Sequence, residues 1–125
     1  MKKLMVSLGL ALLSASTWAW PDKPVTLLVP FPPGGASDWI GRAIARKLQE
    51  KFGGSFIIDN KAGAGGNIGT EAIARAKPDG YTLGMGNLAP LAVNQALFKK
   101  INFDAQRDLT PICLIERGPL ILMVR

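Results

Sequence analysis

A chain of 125 residues with one cysteine and no histidine has no internal disulfide, no Ser-His-Asp or Cys-His nucleophile and no ordinary zinc site. Its formal charge of +6 comes from lysines and arginines set singly or in pairs, with no aromatic ladder between them. That pattern argues against a nucleic-acid surface and supports only a mild attraction for acidic ligands.

Residues 1–19 read as a secretory signal. Lys2 and Lys3 give a basic start, Leu4 to Leu13 is mostly apolar, and Thr17-Trp18-Ala19 places small residues before a cut. The apolar stretch is too short to cross ~30 Å of hydrocarbon comfortably. Cleavage after Ala19 takes two lysines and lowers the charge from +6 to +4. Residues 20–125 then are long enough for one exported domain, at the small end of the domain range.

Val25 to Val29 is a short apolar run that reads as a strand buried on both faces. Pro30-Phe31-Pro32-Pro33-Gly34-Gly35 breaks it, and Ser37 or Asp38 is expected to cap the next helix. In that helix Ile40, Ile44 and Leu48 make an apolar stripe, with Arg42, Arg46, Lys47 and Glu50 largely opposite, and Gly53-Gly54 ends it. Ser55 to Asp59 reads as a second strand. The loop Gly63-Ala64-Gly65-Gly66-Asn67-Ile68-Gly69 follows, with Asn67 as the cap of a helix running to Ala76. Pro78-Asp79-Gly80 is a turn, Tyr81 to Met85 a third strand, and Leu91 to Phe98 a short helix. Residues 102–111 read as polar and irregular. Ile112 to Ile115 and Leu120 to Val124 read as strands. Cys113 is expected as a small buried hydrophobe. Trp39 and Tyr81 are expected in the core, and Phe31 beside a pocket.

Strands alternating with helices imply an α/β fold on a mostly parallel sheet covered on both faces. Ligands of such sheets sit beyond the carboxyl ends of the strands. Both glycine loops and Gly86-Asn87 lie at that edge. Each glycine loop opens a helix, whose unpaired N–H groups and partial positive charge suit an anion. Pro-Pro-Gly-Gly serves equally as a plain connector. Gly63, Gly65 and Gly69 are spaced one residue too long for the dinucleotide fingerprint, and no Gly-Lys-Ser/Thr follows. A nucleotide-binding α/β enzyme is therefore the weaker alternative.

The run Pro24-Val25 through Val29-Pro30-Phe31-Pro32-Pro33-Gly34-Gly35-Ala36-Ser37-Asp38 resembles the opening of the Bug family, the periplasmic solute receptors of tripartite tricarboxylate transporters. The likeness continues through Asp59 to Gly69, Ala76 to Leu83, Asn94 to Phe98 and Asp108 to Ile112. It implies a type II periplasmic-binding-protein fold with two hinged α/β lobes. It also implies a periplasmic location, no enzymatic role and no cofactor or metal. The implied ligand is a small carboxylate: a di- or tricarboxylate, an acidic amino acid or an aromatic acid. The implied partners are the membrane subunits of the transporter, with the receptor a monomer that binds no nucleic acid. Carried onto this chain, the ligand-binding residues are Phe31, Gly34, Gly35, Ala36, Ser37, Asp38, Gly65, Gly66 and Asn67, with Asn87 from the third loop. Family receptors are two to three times longer, so residues 20–125 correspond to an incomplete first lobe. The last strand-like run ends the sequence with nothing to cover it. The expectation is a fragmentary reading frame, or a truncated, non-functional remnant of such a receptor.

Overall fold

The computed structural model describes residues 20–118, together with 122 and 123. The expected signal segment and most of the expected last strand lie outside the described residues.

Three strands form one parallel sheet in the order β2-β1-β3. They are β1 (Val25–Val29), β2 (Phe56–Asn60) and β3 (Thr82–Gly84). In the register, Leu27 stands opposite Ile58 on one side and Leu83 on the other. β1 is central, and Val25, Leu27, Leu28 and Val29 are all buried. That is why it reads as an unbroken apolar run rather than an alternating one.

Helix α1 (Ala36–Phe52) covers one face. A Cβ added at Gly41 would stand 3.1 Å from Val29 Cγ2 and within 3.8 Å of Ile58 and Leu27. The missing side chain is what lets the helix approach the sheet. Consequently the deepest positions of α1 are Asp38, Gly41 and Ala45. The Ile40, Ile44 and Leu48 stripe flanks them and is only half-buried. Gly53, at φ +71, closes the helix with its N–H on the Gln49 carbonyl at 3.0 Å. Helix α2 (Asn67–Ala74) covers the other face. Pro30 and Gly84 carry the opposite parity to Leu27 and Val29, and it is they that lie against Gly69 and Ile73 of α2.

The third loop leads into a wide helical turn, Ala89–Val93, which runs on as α3 (Asn94–Leu97). One turn of helix, α4 (Ala105–Asp108), stands where the sequence reads as irregular. Asp104 makes it, accepting from the N–H groups of Gln106 at 2.9 Å and Arg107 at 3.1 Å.

Three further expectations fail. Ile112 to Ile115 forms no strand: it pairs with neither outer edge of the three-stranded sheet, and Ile112 is 78% and Leu114 68% exposed. Cys113, on the same segment, is an exposed free thiol. Trp39 is not core but 73% exposed, since it lies on the side of α1 turned from the sheet. Tyr81 does pack against the core. With Phe52 and Phe56 it surrounds Trp20, whose ring stands edge-on to Phe52 at 5.5 Å. This cluster holds the amino-terminal residues at the end of the sheet away from the glycine loops.

Candidate functional site

The carboxyl ends of all three strands face one edge, and their loops meet there. A Cβ on Gly66 would lie 3.2 Å from both Phe31 of the first loop and Pro90 of the third. Phe31 is half-buried between the first two loops. Gly34, Gly35, Ala36 and Gly65 are exposed, Ser37 and Asn67 half-buried, and Gly66 buried. Asn87 is exposed at the edge of the group, its Oδ1 accepting from the Ala89 N–H at 3.2 Å. The sheet edge therefore gathers all the residues expected at a site.

The caps differ from expectation in a way that matters. Neither Ser37 nor Asp38 caps α1, which begins at Ala36 behind Gly35 and has no side-chain cap. Asn67 does not cap α2 either; Gly66, in left-handed conformation at φ +93, precedes that helix, again with no side-chain cap. Two helix starts thus reach one edge with no side chain closing either. The positive end of each macrodipole faces that space, offset at α1 by the Asp38 carboxylate in its first turn.

Asp38 has another task. It is 4% exposed, and both its oxygens are occupied. Oδ2 accepts from the Gly34 N–H and from Arg42 Nε, each at 2.9 Å, and Oδ1 accepts from Asn60 Nδ2 at 3.0 Å. Asn60 Nδ2 also donates to the Phe31 carbonyl at 3.1 Å. Asp38 and Asn60 together tie the first loop to the end of β2. The Arg42 hydrogen bond, followed by that of the Gly34 N–H, holds the Asp38 carboxyl at about 2, well below its ordinary 3.8. A carboxyl with a lowered folded pKa adds stability above the unfolded value and loses it as pH falls through the folded one. The melting temperature of Asp38→Asn should therefore lie below that of the parent chain at pH 7. The gap should narrow between about pH 4 and 2, as the parent loses this contribution. A gap that stays constant over that range would show that the carboxylate charge is not what holds the loop.

The second loop is held from the third. Gly63, Ala64, Gly65 and Gly66 all have positive φ, at +132, +48, +63 and +93. Ala64 is the one non-glycine in this left-handed stretch and carries its steric strain. Asn94, 5% exposed at the start of α3, donates from Nδ2 to the Gly65 carbonyl at 3.2 Å and to Asn67 Oδ1 at 2.7 Å. Sequence reasoning gave neither Asn60 nor Asn94 a role at the site. The available signal was a polar residue, Asn94, inside the otherwise mostly apolar helical run Leu91 to Phe98. Among the described residues no cluster of His, Cys, Asp and Glu is arranged to hold a metal, and no helix is long and apolar enough to cross a membrane.

A family model described as the tripartite tricarboxylate transporter family receptor matches residues 40–125. Protein BugT of Bordetella pertussis is 38% identical over 130 residues, covering 98% of this chain and 40% of BugT. A relative from Pseudomonas sp. strain P51, known from the tcbD-tcbE intergenic region, is 37% identical over 98% of this chain and 38% of its own length. Among solved structures, MatC of Rhodopseudomonas palustris with bound malate superposes with a TM-score of 0.73 at 36% identity, over 77% of this chain and 33% of MatC. Rpa4515 of R. palustris with adipate gives 0.67 at 40% identity, over 70% of this chain and 29% of its own. The chain spans about two fifths of the length of the curated relatives it matches. These neighbours carry the expected fold class, an α/β periplasmic-binding-protein lobe present in part. The family is one of solute-binding receptors rather than enzymes. The family model, the relatives and the matched structures agree, and the chain belongs to the tripartite tricarboxylate transporter receptor family.

Proposed function

We propose that residues 20–125 form the first-lobe half of an extracytoplasmic receptor that captures a small carboxylate for a tripartite tricarboxylate transporter. Residues 1–19 serve as its signal, cut after Ala19, and the mature receptor acts in the periplasm. The observation that carries this reading is the pair of helix starts, α1 and α2, that reach one sheet edge with no side-chain cap. A carboxylate seated there accepts backbone N–H bonds from Gly35, Ala36 and Ser37, and the positive ends of both helices favour its charge. The Ser37 hydroxyl and the Asn67 amide add side-chain donors. Phe31 and the backbone of Gly34, Gly65 and Gly66 wall the space, with Asn87 at its rim. Asp38 supports the first loop from beneath. The net positive charge favours the approach of an anion. Binding moves no bond, so no general base is needed. The ligand class is that of di- and tricarboxylates, acidic amino acids and aromatic acids, and malate and adipate in the solved relatives fall within it.

Isothermal titration tests this. The chain beginning at Trp20 would be titrated alone, and also fused to the remaining length of its BugT relative. The panel is malate, adipate, glutamate and benzoate, with glucose as the uncharged control. Saturable heat with at least one acid and none with glucose is expected. Absence of heat with every acid in both forms would overturn the proposal.

A further inference from the structure

We propose that Asn94 is a positioning residue that turns the Asn67 side chain so that its NH2 group, not its oxygen, faces the ligand. For the ligand itself the proposal rests on the carboxylate reading above. Asn94 is the first residue of α3, beyond the third loop, yet its side chain serves neither its own helix nor the core. α3 has no side-chain cap, and the Asn94 amide reaches across to residues 27 and 29 positions earlier in the chain.

The orientation follows from one fixed acceptor. A backbone carbonyl oxygen accepts and cannot donate, so the Gly65 carbonyl, 3.2 Å away, obliges Asn94 to present Nδ2. The same Nδ2 lies 2.7 Å from the Asn67 side chain, which must then present Oδ1. An NH2 group has two hydrogens, and here two acceptors take them. With Oδ1 turned to Asn94, Asn67 Nδ2 points the other way, and it has no protein partner among the described residues. The chain Gly65 carbonyl, Asn94, Asn67 thus converts a symmetric-looking amide into a donor aimed away from the third loop. For a negatively charged ligand the donor attracts and the oxygen would repel, so the sense of the amide decides affinity.

The same contact fixes the backbone. Gly65 belongs to the left-handed stretch Gly63 to Gly66, and a Cβ on it would sit 3.3 Å from Asn94 Nδ2. Asn94 therefore holds both the side chain of Asn67, the first residue of α2, and the Gly65 peptide unit before it.

Two measurements test the assignment. Side-chain amide protons of the 125-residue chain, followed by nitrogen-15 NMR, should show the Asn94 NH2 slow to exchange and the Asn67 NH2 fast. Asn94→Asp keeps the shape but offers only acceptors, so the Asn67 amide should turn over and its NH2 become the protected one. A protected Asn67 NH2 in the parent chain, or no change in it on Asn94→Asp, would overturn the proposal without reference to any ligand. Titration with malate and adipate is the second arm. Asn94→Asp should weaken binding about tenfold, the equivalent of one hydrogen bond to a charged group. In an Asn67→Ala background, where no amide remains to be turned, it should weaken binding markedly less. An equal loss in both backgrounds would show that Asn94 acts without Asn67, and would overturn it too. Failure of the parent chain to bind either acid counts against the carboxylate reading alone, and the amide protons then decide the role of Asn94.

Discussion

Gly69→Ala is expected to lower the melting temperature more than Gly34→Ala, although both change one hydrogen to a methyl. At Gly69 the added Cβ would lie 2.5 Å from Pro30 Cα and 2.6 Å from the Lys61 carbonyl oxygen. Both are backbone atoms at the ends of packed strands, so neither swings aside. Alanine gains about 1 kcal/mol over glycine in helix propensity. The overlap is expected to outweigh that gain, because overpacking a tight contact costs about 1–3 kcal/mol even where side chains can give. The net loss should be on the order of 2 kcal/mol, roughly 8–16 °C for a domain of this size. At Gly34 nothing lies within 4 Å, and only its φ of +83 resists a side chain. The cost there is about 1–2 kcal/mol, purely conformational. The difference matters for the site because Gly69 sets how closely α2, and with it Asn67, approaches the end of β1. Gly69→Ala should therefore also displace the second loop from the first. Thermal melts of the two variants decide. Equal losses would mean that α2 has slack against β1.

Much of this was legible in the sequence. The apolar runs at Val25, Phe56 and Thr82 are short and bounded by Pro, Gly or Asp, so strand positions follow from composition and length. The helix between Ala36 and Phe52 declares itself by four-residue spacing and by the glycines after it. The convergence of three loops follows from parallel topology alone. What stayed hidden depends on contacts that no local pattern encodes. Periodicity puts the deepest face of α1 on Ile40, Ile44 and Leu48. Gly41 instead lets the helix approach nearest along Asp38, Gly41 and Ala45. A charged residue is thereby drawn inside, and it is tolerated because Arg42, Gly34 and Asn60 satisfy it. The same rotation leaves Trp39 in solvent. The reading of Ile112 to Ile115 as a strand fails for a related reason. An apolar run becomes a strand only where the rest of the chain lays it alongside a strand edge, and here it reaches neither outer edge of the sheet, which is a tertiary fact. Asn94 was missed because its partners, Gly65 and Asn67, lie 27 or more residues away.

Leu27→Ala and Trp39→Ala should separate the true core from the apparent one. Leu27 is 4% exposed, and in the parallel register it is flanked by Ile58 and Leu83 on the same face. Above it stands α1 at Gly41, close enough that an added Cβ would lie 3.8 Å from Leu27 Cδ2. The walls of the resulting cavity belong to a central strand and a helix already in contact, so they cannot collapse to fill it. Loss of about 2–5 kcal/mol is expected, a large share of the 5–15 kcal/mol typical of a whole domain and of the lower end in a small one. Trp39 is the larger residue, yet it is 73% exposed. Its truncation should stay within about 0.5 kcal/mol. Urea unfolding of the two variants measures both, with the midpoint moving and the slope held for Leu27→Ala. If Trp39→Ala proved the more damaging, α1 would have to be turned on the sheet. Its Trp39 side would then face β1, and Asp38, with the loop it holds, would be carried out of the site.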